Sequence, residues 1–207
     1  MKSAPFIAVE GAIGAGKTTL ATMLSKELNL PLVKEIVEEN PFLASFYQNI
    51  DEWSFQLEMF FLCNRFKQLE DTGLHYIEQN TPVISDYHIY KNMIFAERTL
   101  KGTKRDKYRQ IYHLLTDDLP KPNLVLYIEA ELDTLMYRIN KRGRSFEQDM
   151  DPAYMEQLIA DYKTGMAYLA DSANPPTIIK VNAEQLDFVE HPEHFRQIVN
   201  QVKEYIT

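Results

Sequence analysis

The chain has 207 residues, of which 45% are hydrophobic and 25% charged, the size and balance of one globular domain with its own buried core. Its 22 basic and 30 acidic residues give a formal net charge of −8, which argues against an extended nucleic-acid footprint, because such binders concentrate Lys and Arg. No apolar stretch is long enough to span a membrane, and residues 1–5 do not resemble a signal peptide. We therefore expect a single cytoplasmic domain over 1–207 that binds neither nucleic acid nor membrane.

Five short apolar runs predict β-strands, and the segments between them predict helices. The strands are expected at 6–10, 32–37, 82–86, 124–129 and 177–181, with a helix at 18–29 after the first of them. Strands that alternate with helices indicate a mostly parallel sheet covered on both faces, in which ligands bind beyond the carboxyl ends of the strands. Functional residues are therefore expected just after the strands.

The clearest helical pattern runs from 53 to 69, where large apolar residues recur at three- and four-residue spacing. This stripe consists of Phe55, Met59, Leu62, Phe66 and Leu69. It predicts packing in the core and a surface for a second copy of the chain, while the opposite face of the helix stays available for a ligand. Cys63, the single cysteine, lies in the same run, where a small buried side chain is expected.

Residues 11–18 read GAIGAGKT and match the phosphate-binding pattern G-x-x-x-x-G-K-[ST] between a predicted strand and a predicted helix. The glycines allow a tight turn whose amides point at phosphate oxygens. In this pattern Lys17 reaches the β- and γ-phosphates, and the hydroxyl of Thr18 binds Mg²⁺. ATP and Mg²⁺ are therefore the predicted cofactors. The loop also predicts a three-layer α/β fold of the P-loop NTPase type with a five-stranded, mostly parallel sheet.

Three arginines form a local positive patch after the fourth strand and its helix. Arg138 and Arg142 lie one helical turn apart and face the same way. The patch predicts a basic lid over about 138–148 that closes over ATP and stabilises charge on the transferred phosphoryl group. Residues 140–143 (NKRG) lack the final acid of a GTPase base-reading motif. The predicted nucleotide-binding residues are Gly11, Ala12, Ile13, Gly14, Ala15, Gly16, Lys17, Thr18, Thr19, Arg138, Arg142 and Arg144.

With these motifs, the chain resembles the deoxynucleoside kinases, the family of the deoxycytidine, deoxyguanosine and bacterial deoxyadenosine kinases. The resemblance runs nearly end to end and implies an ATP-dependent salvage kinase, commonly a homodimer, that phosphorylates the 5'-hydroxyl of a deoxynucleoside. Two stretches, 53–67 and 86–92, most resemble the deoxyguanosine kinases of Bacillus-like bacteria. The residues that carry the family resemblance are 11–18, 35–37 (EIV), 53–55 (WSF), Arg65, Asp86 and 142–147 (RGRSFE).

The resemblance also implies roles for individual residues. Glu35, at the end of the second strand, corresponds to the general base that removes the proton from the 5'-hydroxyl. Asp86 corresponds to an acid that orders Mg²⁺ or the acceptor hydroxyl, and by spacing Tyr47 and Glu147 hold the 3'-hydroxyl of the deoxyribose. The predicted catalytic residues are Glu35, Lys17, Asp86 and Arg142, and the predicted metal ligands are Thr18 and Asp86.

One departure from the family follows Asp86. The family usually has an arginine at the next position, whereas this chain has Tyr87, which supplies no positive charge. Either the lid arginines or a water molecule is expected to take over the role of that arginine. His88, the next residue, is expected to be a structural polar residue.

The family usually reads the base with a glutamine seven residues before the arginine of the first acceptor-site helix, and here that position holds Glu58. At about 100° per residue, Glu58 lies roughly 20° from Arg65, whereas Gln56 lies roughly opposite. A carboxylate only accepts, so it matches the two adjacent donors of guanine, while Arg65 donates to guanine's carbonyl oxygen and ring nitrogen. Asn92 is expected to add an adaptable amide near the base. The predicted acceptor is therefore a purine deoxynucleoside, foremost deoxyguanosine.

The residues predicted to bind this acceptor are Glu35, Tyr47, Glu58, Arg65, Asp86, Asn92 and Glu147. Three alternatives stay open. A deoxyadenosine-preferring or broad deoxynucleoside kinase would differ only in the base pocket. A nucleoside monophosphate kinase needs arginines for an acceptor phosphate, where this chain has Glu35, Glu58 and Tyr87. A non-catalytic nucleotide-binding module would lose acids that this chain retains in Glu35 and Asp86.

Overall fold

The computed structural model describes residues 4–37, 40–147 and 150–206. The two ends of the predicted 1–207 domain and residue 148 of the predicted lid lie outside the described residues. The described strands are β1 (Phe6–Gly11), β2 (Leu32–Val33), β3 (Val83–Ser85), β4 (Leu124–Glu129) and β5 (Thr177–Asn182). They form one sheet of order β2-β3-β1-β4-β5 in which every neighbouring pair is parallel, which confirms the predicted five-stranded parallel sheet.

The second strand is shorter than the predicted 32–37, and the carboxylate of Asp86 explains why. The backbone N–H of Asp86 donates to Val33 across 3.1 Å, the last main-chain bond of this pair. Two residues further on, the N–H of Glu35 donates to Oδ1 of Asp86 across 2.7 Å, so a side chain replaces the main-chain partner. Residues 34–37 thereby leave the sheet at its carboxyl end, where the candidate site lies.

Helices connect the strands and cover the sheet. Val83 and Ile84 are neighbours on β3 and therefore point to opposite faces. Val83 packs with Leu62 and Tyr108, whereas Ile84 packs with Leu24, so both faces are covered as predicted. The helices are α1 (Lys17–Leu28), α2 (Leu43–Gln48), α3 (Ile50–Thr72), α4 (Tyr90–Thr99), α5 (Gly102–Thr116), α6 (Leu132–Arg142), α7 (Pro152–Ala170) and α8 (Pro192–Ile206).

The apolar stripe of α3 packs within its own chain. Leu62 and Leu69 are fully buried, and the other three stripe residues, Phe55, Met59 and Phe66, are partly buried against the same cluster. The stripe is therefore not a free surface for a second copy. Cys63 is exposed, so its predicted burial was wrong. Each residue turns the helix by about 100°, so the side chain after Leu62 points away from the stripe. In the described residues, no helix combines the length and apolar character that crossing a bilayer requires.

Candidate active site

The phosphate loop connects β1 to α1, and close packing requires a glycine at position 14. A Cβ on Gly14, where φ is +83°, would lie 2.9 Å from both Ile139 of α6 and the carbonyl of Leu135. Lys17 folds back over the loop, and its Nζ donates to the carbonyls of Gly11 and Ala12 across 2.8 and 3.0 Å. These two bonds hold the ammonium inside the loop, where a phosphate would meet it.

A cavity of about 750 Å³ opens beside this loop and extends to α3, to the end of β3 and to the predicted lid. Most of the predicted site residues share its wall. They are Ile13, Gly14, Gly16, Lys17, Thr18, Thr19, Glu35, Tyr47, Glu58, Arg65, Asp86, Arg142, Arg144 and Glu147. Gly11, Ala12, Ala15, Asn92 and Arg138 are the predicted residues outside that wall.

Glu35 is held by two cations. Arg65 donates to its Oε1 through Nε across 2.9 Å and also through an Nη, and Nζ of Lys91 lies 3.0 and 2.9 Å from the two carboxylate oxygens. The three side chains are 9%, 5% and 7% exposed. Burial raises the pKa of Glu35, but Lys91 and Arg65 outweigh it and lower this pKa to about 2. Glu35 is therefore ionised at neutral pH.

Lys91 was missed by the sequence reasoning. It lies on the first turn of α4, lines the cavity and is buried at a place where lysine is rare without a partner. The sequence does contain a signal for it: Lys91 is a basic residue five positions after Asp86, at the start of the helix that follows β3.

Asp86 joins the phosphate loop to the segment that carries Glu35. Its Oδ2 accepts from the hydroxyl of Thr18 across 2.5 Å, and its Oδ1 accepts from the N–H of Glu35. Mg²⁺ in nucleotide sites takes one or two protein oxygens plus phosphates and water, and the donor types of Thr18 and Asp86 fit. Within the described ranges no three His, Cys, Asp or Glu side chains form a metal cluster.

Tyr87 and His88 are both buried and bond away from the cavity. The hydroxyl of Tyr87 donates to Gln68 across 2.9 Å. The N–H of His88 donates to Glu10 across 2.6 Å, and its ring lies 3.2 Å from the carbonyl of Pro120. Burial lowers the pKa of His88 to about 3, so its ring is neutral. His88 has the structural environment that the sequence indicated.

The two residues predicted to read the base, Glu58 and Arg65, share one side of α3, as helix geometry predicts. Glu58 and Arg65 are buried on the cavity side of α3, whereas Gln56 is exposed. The hydroxyl of Thr99 donates to Oε1 of Glu58 across 3.1 Å. Burial raises the pKa of Glu58 to about 7, although Arg65 opposes the shift.

Asn92 does not lie where the sequence interpretation placed it. Its side chain is fully buried and absent from the cavity wall. Its Oδ1 accepts from an Nη of Arg65 across 2.6 Å, and its Nδ2 donates to the hydroxyl of Tyr108 across 2.9 Å. Both ends of the amide are therefore engaged behind Arg65, and Asn92 orients that guanidinium instead of facing the base.

The predicted lid is folded against the cavity by one carboxylate. Glu147 is buried and accepts two bonds of 2.7 and 2.6 Å from an Nη of Arg142. Arg144 lies 3.8 Å from the same carboxylate. Arg138 instead donates to the carbonyl of Ala15 across 3.1 Å, so it ties α6 to the back of the phosphate loop and does not reach into the cavity.

The fold and the loop define a P-loop nucleotide-binding protein, with a phosphate-binding turn at the end of β1 and a carboxylate across the cavity from it. The family model for deoxynucleoside kinases matches residues 7–207, and the chain belongs to that family. It is 57% identical over 206 residues to the deoxyguanosine kinase of Bacillus subtilis, with 100% of both chains covered. It is 31% identical to a deoxyadenosine kinase of Lactobacillus acidophilus, with 96% of this chain and 94% of the relative covered.

A solved structure agrees with this assignment. The chain superposes with a TM-score of 0.81 and 26% identity on deoxyadenosine kinase from M. mycoides with bound dCTP, covering 96% and 99% of the two chains. The predicted family, its P-loop NTPase-type fold and its kinase class are thereby confirmed. Membership of a kinase family implies ATP as the phosphate donor.

Proposed function

We propose that the chain transfers the γ-phosphate of ATP to the 5'-hydroxyl of a purine deoxynucleoside, preferably deoxyguanosine, in nucleotide salvage. The observation that carries this proposal is the buried pair of Glu58 and Arg65 on the wall of the cavity that the phosphate loop also lines. The 57% identity to a deoxyguanosine kinase supports the same base.

The pair matches guanine by its donors and acceptors. An ionised Glu58 accepts from guanine's ring N–H and amino group. Arg65 has five N–H donors, and its bonds to Glu35 and Asn92 engage three of them, which leaves two for the carbonyl oxygen and ring nitrogen of guanine. A base that presents an acceptor to the carboxylate would lose about 1 to 3 kcal/mol of binding free energy.

In the proposed reaction, the phosphoryl group moves from ATP to the 5'-hydroxyl of the acceptor. The bond between the γ-phosphorus and the oxygen bridging to the β-phosphate breaks, a bond to the 5'-oxygen forms, ADP leaves, and Glu35 takes the hydroxyl proton. Lys17, Arg142 and Arg144 counter the phosphate charge, and Thr18 with Asp86 would hold Mg²⁺, which would neutralise charge that develops on the phosphates. Tyr47 and Glu147 bind the 3'-hydroxyl of the deoxyribose.

Deoxyadenosine is the second acceptor that the site supports. The pKa of Glu58, raised to about 7 by burial, leaves a substantial protonated fraction at neutral pH. A protonated carboxyl carries one donor and one acceptor, which is the pattern that adenine needs.

We also propose that the chain forms a single domain that acts in the cytoplasm as a homodimer. The family resemblance supports the dimer, and the stripe of α3 does not, because it packs internally. Light scattering on pure protein at micromolar concentration tests the dimer, and a monomer mass of 24.2 kDa contradicts it.

The function is tested with pure protein, ATP and a panel of deoxyguanosine, deoxyadenosine, deoxycytidine, thymidine and dGMP, with and without EDTA. Deoxyguanosine should react best, deoxyadenosine next, and EDTA should stop the reaction. Equal or better activity on deoxycytidine or thymidine contradicts the base-reading argument. Activity on dGMP alone identifies a monophosphate kinase, and nucleotide binding without transfer identifies a non-catalytic module.

A further inference from the structure

We propose that Lys91 is the positioning residue of the general base: it bonds both carboxylate oxygens of Glu35 and supplies the cation that Tyr87 cannot supply. This inference rests on the proposed function, because it assigns a partner to the group that receives the acceptor's proton. It also replaces the earlier expectation that lid arginines or water take this role.

The contacts of Tyr87 and Arg142 argue against either residue as the cation at Glu35. Tyr87 is fully buried and its hydroxyl bonds Gln68, so it contributes no charge to the cavity. Arg142 donates three bonds to Glu147, so its guanidinium is engaged by the carboxylate of the lid. Lys91 is the α4 side chain that lies at Glu35, with bonds of 3.0 and 2.9 Å.

The geometry of Lys91 differs from that of Arg65, and the difference defines its role. Arg65 reaches only Oε1 of Glu35, whereas Lys91 reaches both oxygens. Without Lys91, Oε2 would lose the bond that fixes the rotation of the carboxylate, and a buried acid would keep only one of its two direct cations. Lys91 therefore fixes the direction of the acid toward an acceptor hydroxyl.

Charged groups of both signs surround Glu35, and they come from several of the elements packed around it. Burial raises the pKa of Glu10 on β1, and Lys91 and Lys17 oppose that shift. Lys91 therefore also acts on a second buried carboxylate, whose Oε2 has no hydrogen-bond partner among the described residues. The charged groups facing Glu35 are Glu10 from β1, Lys17 from α1, Arg65 from α3, Lys91 from α4 and Asp86 after β3.

The test measures kcat, and KM for both ATP and deoxyguanosine, in the wild type, Lys91→Met and Lys91→Arg at neutral pH. Lys163→Met, which changes an exposed lysine of α7, is the matched control. A carboxylate that is held through one oxygen only can turn away from the acceptor hydroxyl, and a misplaced reacting group costs up to about a hundredfold in rate. We therefore expect Lys91→Met to lose at least about tenfold in kcat with little change in either KM, the pattern of an interaction that acts in the transition state. Lys91→Arg should recover part of the loss.

Two outcomes overturn the proposal: a kcat of Lys91→Met equal to that of the wild type, or a loss of kcat/KM that comes only from a higher KM in protein shown to be folded by circular dichroism. A folded Lys91→Arg that recovers nothing also counts against it. If the wild type itself phosphorylates no deoxynucleoside, the proposed function fails instead, so the two failures are distinguished by the wild-type assay.

Discussion

The hydroxyl of Thr99, at the end of α4, lies 3.1 Å from Oε1 of Glu58 on α3, and both side chains are buried. The same hydroxyl lies 2.9 Å from the carbonyl of Phe95. A hydroxyl has one hydrogen to donate but also accepts. Thr99 can therefore donate to an ionised Glu58, or donate to Phe95 and accept from a protonated Glu58. This contact suits both protonation states of Glu58, the residue that we propose reads the base.

Replacing Glu58 by glutamine should change the preferred purine. Glu58→Gln presents one donor and one acceptor, which match adenine, and it removes the second acceptor that guanine needs. The ratio of kcat/KM for deoxyguanosine over deoxyadenosine should fall by about ten- to a hundredfold, which corresponds to about 1 to 3 kcal/mol. Steady-state kinetics with both nucleosides measure it.

The control for this change is Gln56→Glu on the same helix. Gln56 is exposed, so a new carboxylate there should leave the purine ratio unchanged. An unchanged ratio in Glu58→Gln would show that Glu58 does not face the base. A changed ratio in Gln56→Glu would show that the base contacts the opposite side of α3.

The purine preference of the wild type should depend on pH. Burial raises the pKa of Glu58 from the ordinary carboxyl range to about 7, so the group gains its proton as pH falls through neutrality. The ionised form, above pH 7, favours guanine, and the protonated form, below pH 7, offers adenine a donor. The deoxyguanosine to deoxyadenosine ratio of kcat/KM should therefore fall between pH 8.5 and pH 5.5. Glu58→Gln should give a flat ratio, and a flat ratio in the wild type would contradict the assignment.

Regular backbone patterns made much of this fold predictable. The strand at 124–129 and the phosphate loop follow directly from an apolar run and a glycine pattern, because both depend on neighbouring residues. The second strand was predicted too long, since its end is set by Asp86, a residue more than fifty positions away in the sequence. A pattern of neighbouring residues carries no information about a hydrogen bond to so distant a residue.

The part of the site that lies on one helix was predictable, because helix periodicity decides which residues share a face. The seven-residue spacing of Glu58 and Arg65 placed both on one face, and helix geometry correctly rejected Gln56. Lys91 and Asn92 could not be separated in this way, because they are adjacent in the sequence and point to different partners. Lys91 enters the cavity, while Asn92 bonds Tyr108 behind Arg65.

Tyr47 should matter only for acceptors that carry a 3'-hydroxyl. It lines the cavity, and burial together with the nearby Glu147 raises its pKa, so its hydroxyl keeps its proton and can donate. Tyr47→Phe should lower kcat/KM for deoxyguanosine by about tenfold, the effect of one hydrogen bond of about 1 to 1.5 kcal/mol. The value for 2',3'-dideoxyguanosine should not change. An equal loss with both nucleosides would assign Tyr47 to packing rather than to the sugar.

Replacing Glu35 by glutamine should stop turnover and leave ATP binding intact. The amide cannot take the hydroxyl proton, so kcat should fall by about a hundredfold or more. The change also leaves Arg65 and Lys91 buried without a counter-charge, which costs stability of about 3 to 5 kcal/mol. Calorimetric titration with ATP at a temperature where circular dichroism shows folded protein separates loss of chemistry from loss of fold. Full activity in folded Glu35→Gln would remove Glu35 as the general base.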